Sequence, residues 1–105
     1  MDYDFSCGLS VIKPEGFSFI PLPYGKGSFS KNDIINLIGS SNITYINFPE
    51  IMNSFVFGDP SHKYILAYSQ SFGTINTYAS ELMALLGKTI YGTAIIVRSD
   101  KLVNY

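Results

Sequence analysis

The chain has 105 residues, 47% of them apolar, 15% aromatic and only 14% charged, with a formal net charge of −1. That length makes one compact domain, residues 1–105, with no room for two independent cores. A charged fraction below the roughly 25% of an ordinary soluble chain excludes a solvated linker or disordered tail. Seven basic against eight acidic residues exclude the electrostatic footprint of a duplex nucleic-acid binder.

The first elements form a β-hairpin. Gly8 to Lys13 and Phe17 to Leu22 are short runs rich in β-formers, and Pro14-Glu15-Gly16 between them carries tight-turn residues. Pro21 and Pro23 end the second strand or confine it to a sheet edge. The loop Tyr24-Gly25-Lys26-Gly27-Ser28 then feeds a helix over Lys31 to Ile38, whose apolar face is Ile34, Ile35, Leu37 and Ile38. Ser30 is placed to N-cap it, Asp33 to complete a capping box and Gly39 to stop it.

Three strands in meander order follow: Ile43 to Phe48, Ile51 to Phe57 and Lys63 to Ser69. After a polar loop the period changes. Ala79, Leu82, Met83, Leu85 and Leu86 recur at helical spacing, with Asn76 as cap and Gly87 as stop. Thr89 to Arg98 reads as a last strand, and Gly92 inside it suggests a bulge or a close backbone contact. The order β-β-α-β-β-β-α-β predicts an α+β fold: a mostly antiparallel sheet of about five to six strands with two helices on one face.

Cys7 is the only cysteine, so no intrachain disulfide forms, and a reducing compartment suits the chain. The start, Met1-Asp2-Tyr3-Asp4, lacks the positive residues of a secretory signal, and no apolar run approaches the roughly 20 residues of a membrane span. The expectation is a cytoplasmic protein without membrane contact. Asn42-Ile43-Thr44 matches the glycosylation sequon, which without a secretory route is a chance match.

Four segments together carry a resemblance: Val11-Ile12-Lys13-Pro14-Glu15-Gly16, the helix end Leu37-Ile38-Gly39, Gly73-Thr74-Ile75-Asn76-Thr77-Tyr78-Ala79, and Ile90-Tyr91-Gly92-Thr93-Ala94-Ile95-Ile96-Val97. From about Val11 to Val97 the chain resembles the domain-of-unknown-function family numbered three-eight-four-six, small domains of phages, viruses, plasmids and their hosts. It departs from that family in closing its first helix with Gly39-Ser40 rather than a double glycine. The resemblance implies a mobile-element setting and supplies no catalytic residues.

Enzyme chemistry finds little footing. His62 is the only histidine, and its sequence neighbours Ser61 and Asp59 share a turn that rarely presents a nucleophile to its base. Cys7 has no visible activating partner and reads as structural. No pair at metal-ligand spacing exists; Asp2 and Asp4 are the closest acids. Glu50, Asp59, Glu81 and Asp100 fall at element ends or on solvated faces rather than in pairs across a cleft. No metal, no cofactor and no enzyme activity is expected.

Binding is the better reading. Gly25-Lys26-Gly27-Ser28 opens a helix, and glycine amides, a lysine and a helix N-terminus make an anion cradle, although the spacing is not that of a P-loop. A plain turn is the competing reading. Asn76 at the second helix start and Arg98, the only arginine, are further donors, each with a structural alternative: N-cap and ion pair with Asp100. Tyr24 and Tyr91 are rings that stack on a base.

Eight Tyr and eight Phe exceed what so small a core holds, so some face outward as a contact patch. Tyr64 with Tyr68, and Phe55 with Phe57, share strand parity as candidate rows, each of which either fills the core or faces outward. The sequence thus points to a non-catalytic binding protein of a phage or mobile element, capturing a host defence protein or a small anionic nucleotide-type signal. The alternative is an assembly protein acting through self-association. A homodimer is expected, using an edge at Thr89 to Arg98 or Lys63 to Ser69.

Overall fold

The two-residue turn at Pro14 and Glu15 closes a hairpin between β1 (Tyr3–Lys13) and β2 (Gly16–Pro23), paired from Lys13↔Gly16 back to Leu9↔Ile20. Gly16 thus opens the second strand instead of sitting inside the turn. The computed structural model describes residues 3–23, 27–49, 62–69 and 73–103. After β3 (Phe29–Ser30) comes α1 (Lys31–Ile38), with the boundaries its sequence signals require. Ser30 Oγ accepts from the Asp33 amide at 3.2 Å, and the Asp33 carboxylate accepts from the Ser30 amide at 2.9 Å. Gly39 ends the helix in the left-handed conformation (φ 82°), donating to the Ile35 carbonyl.

β4 (Ile43–Asn47) and β5 (Tyr64–Ser69) pair directly and antiparallel, so no strand stands between them as a three-strand meander requires. The expected middle strand, Ile51 to Phe57, lies outside the described residues. The second helix, α2 (Thr77–Leu82), is shorter than its apolar period suggests. Its chain tightens into a 3₁₀ turn at Ala84–Leu86, which Gly87 closes (φ 67°). The last long strand is β6 (Ala94–Arg98), five residues shorter at its start than expected. Gly92 takes a left-handed φ of 72° and turns the chain there, and Asn76 and Thr74 bond residues 90–92 in place of a strand partner. A second 3₁₀ turn at Ser99–Lys101 leads to β7 (Leu102–Val103), which pairs with β3 in a small parallel ladder that the sequence did not announce.

The main sheet has five strands in the order β2-β1-β6-β5-β4, antiparallel at every pairing. A Cα radius of gyration of 13.1 Å is that of one domain of this length. The helices do not share one face. Leu9, Val11, Ile65, Ala67, Ile95 and Val97 pack against Ile34 of α1, with Phe29 and Leu102 joining them. Ile12, Leu66, Tyr68, Ala94 and Ile96, the alternate residues of the same strands, pack against Ala79 and Met83 beside α2. Successive strand residues point to opposite faces, so the helices lie on opposite sides of the sheet. The reason is written in β5 and β6: Ile65-Leu66-Ala67-Tyr68 and Ala94-Ile95-Ile96-Val97 are buried without alternation, and a strand apolar on both sides needs cover on both.

Candidate functional site

Asn76 is a buried hub of hydrogen bonds. Its Oδ1 accepts from the Ala79 amide (3.1 Å), capping α2, while Nδ2 donates to the carbonyls of Ile12 (2.9 Å) and Gly92 (2.7 Å). Its backbone amide donates to the Ile90 carbonyl. Ser80 adds a second clamp, with Oγ accepting from the Ile90 amide at 2.8 Å. One side chain therefore ties α2, the end of β1 and residues 90–92 together, and it is fully buried. Its donors and acceptor are spent inside the protein rather than held out to a ligand.

The remaining expected binding residues fall at two separate places. Tyr24, Gly25 and Lys26 lie outside the described residues. Gly27 and Ser28 run into β3, whose Phe29 pairs with Leu102, just past the end of β6 where Arg98 stands. At that end Arg98 Nε and Nη2 grip the two oxygens of Asp100 at 3.0 and 2.8 Å. This hydrogen-bonded pair holds the Asp100 carboxyl below its ordinary range; burial pushes the other way, and the charges of Arg98, His62 and Lys101 add to the lowering. Asn76 and Tyr91 sit at the opposite end of β6, where Ala94 meets Ile12. The five residues of β6, roughly 13 Å from its first Cα to its last, separate the two places. The fold brings Ser28 and Arg98 to one end of the sheet and Asn76 and Tyr91 to the other. Asp33, bonded to the Ser30 amide at the start of α1, already supplies a negative charge where an anion would enter.

The aromatic rows are also redistributed. Tyr64 and Tyr68 join the core on the α2 face, Tyr68 within the buried cluster and Tyr64 packed against it. Phe55 and Phe57 lie outside the described residues. Tyr45 packs against the α1-face core, where burial pushes its phenol above the ordinary value. Among the described residues the exposed rings are others: Phe17 (64%), Phe19 (47%), Tyr78 (42%) and Tyr91 (43%), with Ile75 and Leu86 also open.

Phe17, Phe19 and Tyr78 gather where β2 passes α2, with Ile75 and Tyr91 nearby. Phe17 and Phe19 pair across the hairpin with Ile12 and Ser10, which puts both rings on the α2 face. The Phe17 and Tyr78 rings touch, with centroids 4.6 Å apart and planes tilted by 54°. The Phe19 ring lies across Gly8, where a Cβ would meet the ring itself and the Ile20 carbonyl at 2.6 Å, so only glycine lets the ring settle there. Ile75 bridges to Tyr91, and Asn76 anchors that pair against Ile12, the cross-strand partner of Phe17. The sequence carried a signal for this surface: two phenylalanines of one parity in a strand whose prolines mark it as an edge.

The strands named as possible dimer edges, Lys63 to Ser69 and Thr89 to Arg98, hold β5 and β6, which are interior with a partner on each side. The edges of the sheet are β2 and β4. Among the described residues no three His, Cys, Asp or Glu side chains gather as a metal site, and no helix is long and apolar enough to cross a membrane. Comparison with protein-family models, curated proteins and solved structures finds no match to this chain.

Proposed function

We propose that this chain is a non-catalytic binding protein that works by protein–protein contact, with the exposed apolar surface beside α2 as its contact face. The observation that carries the reading is the touching pair Phe17 and Tyr78, two rings that find each other yet stay 64% and 42% open. Large aromatic side chains left exposed together on a small domain are the composition of an interface core. The family resemblance adds the setting: a phage or mobile element, with a host protein, such as a defence factor, as the captured partner. A cytoplasmic location and a homodimer belong to the same reading.

A protein partner fits better than a small anionic nucleotide. Asn76 is spent on internal hydrogen bonds, Arg98 grips Asp100, and the two stand at opposite ends of β6. The test is affinity capture from the natural host with the intact chain and with a Tyr78→Ser, Tyr91→Ser variant of unchanged melting temperature. A partner retained by the first and lost by the second is the expected result. Equal retention by both, or a melting shift from a cyclic dinucleotide or ADP-ribose compound with no protein partner, overturns it.

A further inference from the structure

Among the described residues the outer edge of β2 is uncovered, and it is apolar and without charge between Gly16 and Ile20, a combination that folded proteins ordinarily avoid. A two-residue turn closes on a hydrogen-bonded pair, here Lys13 and Gly16, and bonded pairs alternate with non-bonded ones along an antiparallel ladder. The main-chain groups of Ser18 and Ile20 therefore face β1, while those of Phe17 and Phe19 face away from the sheet. Pro21, which has no N–H, falls on the same outward set, as edge prolines do. Four main-chain groups without a strand partner among the described residues and two open rings thus occupy one five-residue segment.

We infer that this edge pairs with the same edge of a second copy, antiparallel, about a two-fold axis at Ser18. That register sets Phe17 of one copy opposite Phe19 of the other, twice, with main-chain bonds at both pairs. It leaves Pro21 and Pro23 outside the paired segment. The two five-stranded sheets become one of ten strands, and both aromatic pairs lie on the α2 face beside Tyr78. A second copy is the occupant because the segment is its own complement: it offers apolar side chains and strand hydrogen bonds but no charge for an unlike partner to match.

The area is that of a weak, reversible dimer. At roughly 150–250 Å² for a large aromatic side chain, the open parts of Phe17, Phe19 and Tyr78 amount to roughly 230–380 Å² per copy. The edge backbone adds to this, against about 800 Å² per partner in a standard interface. The other edge, β4, offers no such segment, since Ile43 and Tyr45 pack into one core cluster and Ile46 into the other.

This inference rests on the binding reading above only in sharing its surface, and the experiment separates them. Sedimentation equilibrium of the full chain is expected to show the mass climbing with concentration from 11.6 kDa to twice that value and no further. Phe17→Lys with Phe19→Lys is expected to raise the dissociation constant at least about tenfold at an unchanged fold. In a Cys7→Ser background, Ser18→Cys tests the register without touching the rings. Non-bonded antiparallel partners sit about 4.5 Å apart at Cα, within disulfide reach, so mild oxidation yields a covalent dimer. Ser41→Cys, exposed in the turn after α1, yields none. A mass fixed at one chain, equal cross-linking at both positions, or an open-ended series of masses overturns the proposal. An intact chain that stays monomeric yet captures a host partner leaves the binding reading standing and sinks this one; a dimer that captures nothing sinks that reading alone.

Discussion

The two faces of the sheet are closed by different means. On one, α1 spends Ile34, Leu37 and Ile38 on a core that Phe29 and Leu102 complete, and apolar packing alone explains the docking. On the other, α2 is six residues long and buries little beyond Ala79 and the neighbouring Met83. A helix that small is not held by its apolar area, and the Asn76 amide makes up the difference with three internal hydrogen bonds. A polar hub covers less sheet than an apolar face does. The rings at the β2 edge remain outside, and that is where the proposed contact surface lies.

Four measurements break or sharpen this contrast. Asn76→Asp has the largest expected effect. It keeps the acceptor that caps α2 but replaces the two donations to the Ile12 and Gly92 carbonyls by a buried charge facing two oxygens. A loss of more than about 3 kcal/mol in urea unfolding is expected, and a loss below about 1 kcal/mol would show that packing, not the hub, holds this face. Ile34→Ala probes the packed face. Removing a side chain of 0% exposure is expected to cost about 2–5 kcal/mol through the cavity it leaves, readable as a lowered denaturation midpoint at unchanged slope.

Phe17→Ser on the α2 face is expected to cost at most about 1 kcal/mol of fold stability below the dimerisation range, because its ring is mostly solvated. A cost equal to that at Ile34 would mean the ring is core and the surface reading fails. The smallest effect belongs to Arg98 and Asp100. Because the folded Asp100 carboxyl is depressed, its contribution is present above its unfolded value near pH 4 and is lost as pH falls through the lower folded value. An exposed pair of this kind is worth about 0.2–1 kcal/mol. The stability gap between the wild-type chain and Arg98→Gln is expected to be small at pH 7 and to vanish in acid; a gap that widens in acid would contradict the ion pair.

The elements were legible where a local signal is complete. Ser30, Asp33 and Gly39 define both ends of α1, since a capping box and a left-handed glycine act within four residues. The hairpin followed from Pro14 and two β-rich runs; Pro21 and Pro23 pointed to a strand that ends there or lies at an edge, and the strand order places β2 at an edge. The candidate site was less legible. Gly27, Ser28, Asn76, Tyr91 and Arg98 carry the right chemistry as a list, but their grouping depends on which end of β6 each one reaches. Asn76 was readable as a cap and unreadable as a hub, because Ile12, 64 residues away in sequence, is what its amide grips.

By itself, then, the sequence determined what depends on neighbours: an α+β chain of helices with fixed ends, a hairpin and an edge strand. Tertiary structure decided what depends on distant partners. It set the helices on opposite faces, because β5 and β6 are apolar on both sides, and it paired β4 directly with β5. It stopped the last strand at Ala94, because Gly92 turns and Asn76 holds residues 90–92 instead of a ladder. It also decided which aromatics stay outside: Tyr64 and Tyr68 lie on an interior strand and pack on the α2 face, whereas Phe17 and Phe19 lie on a strand with no neighbour beyond it among the described residues. Parity places a ring on a face, but only the order of the strands says whether anything covers it.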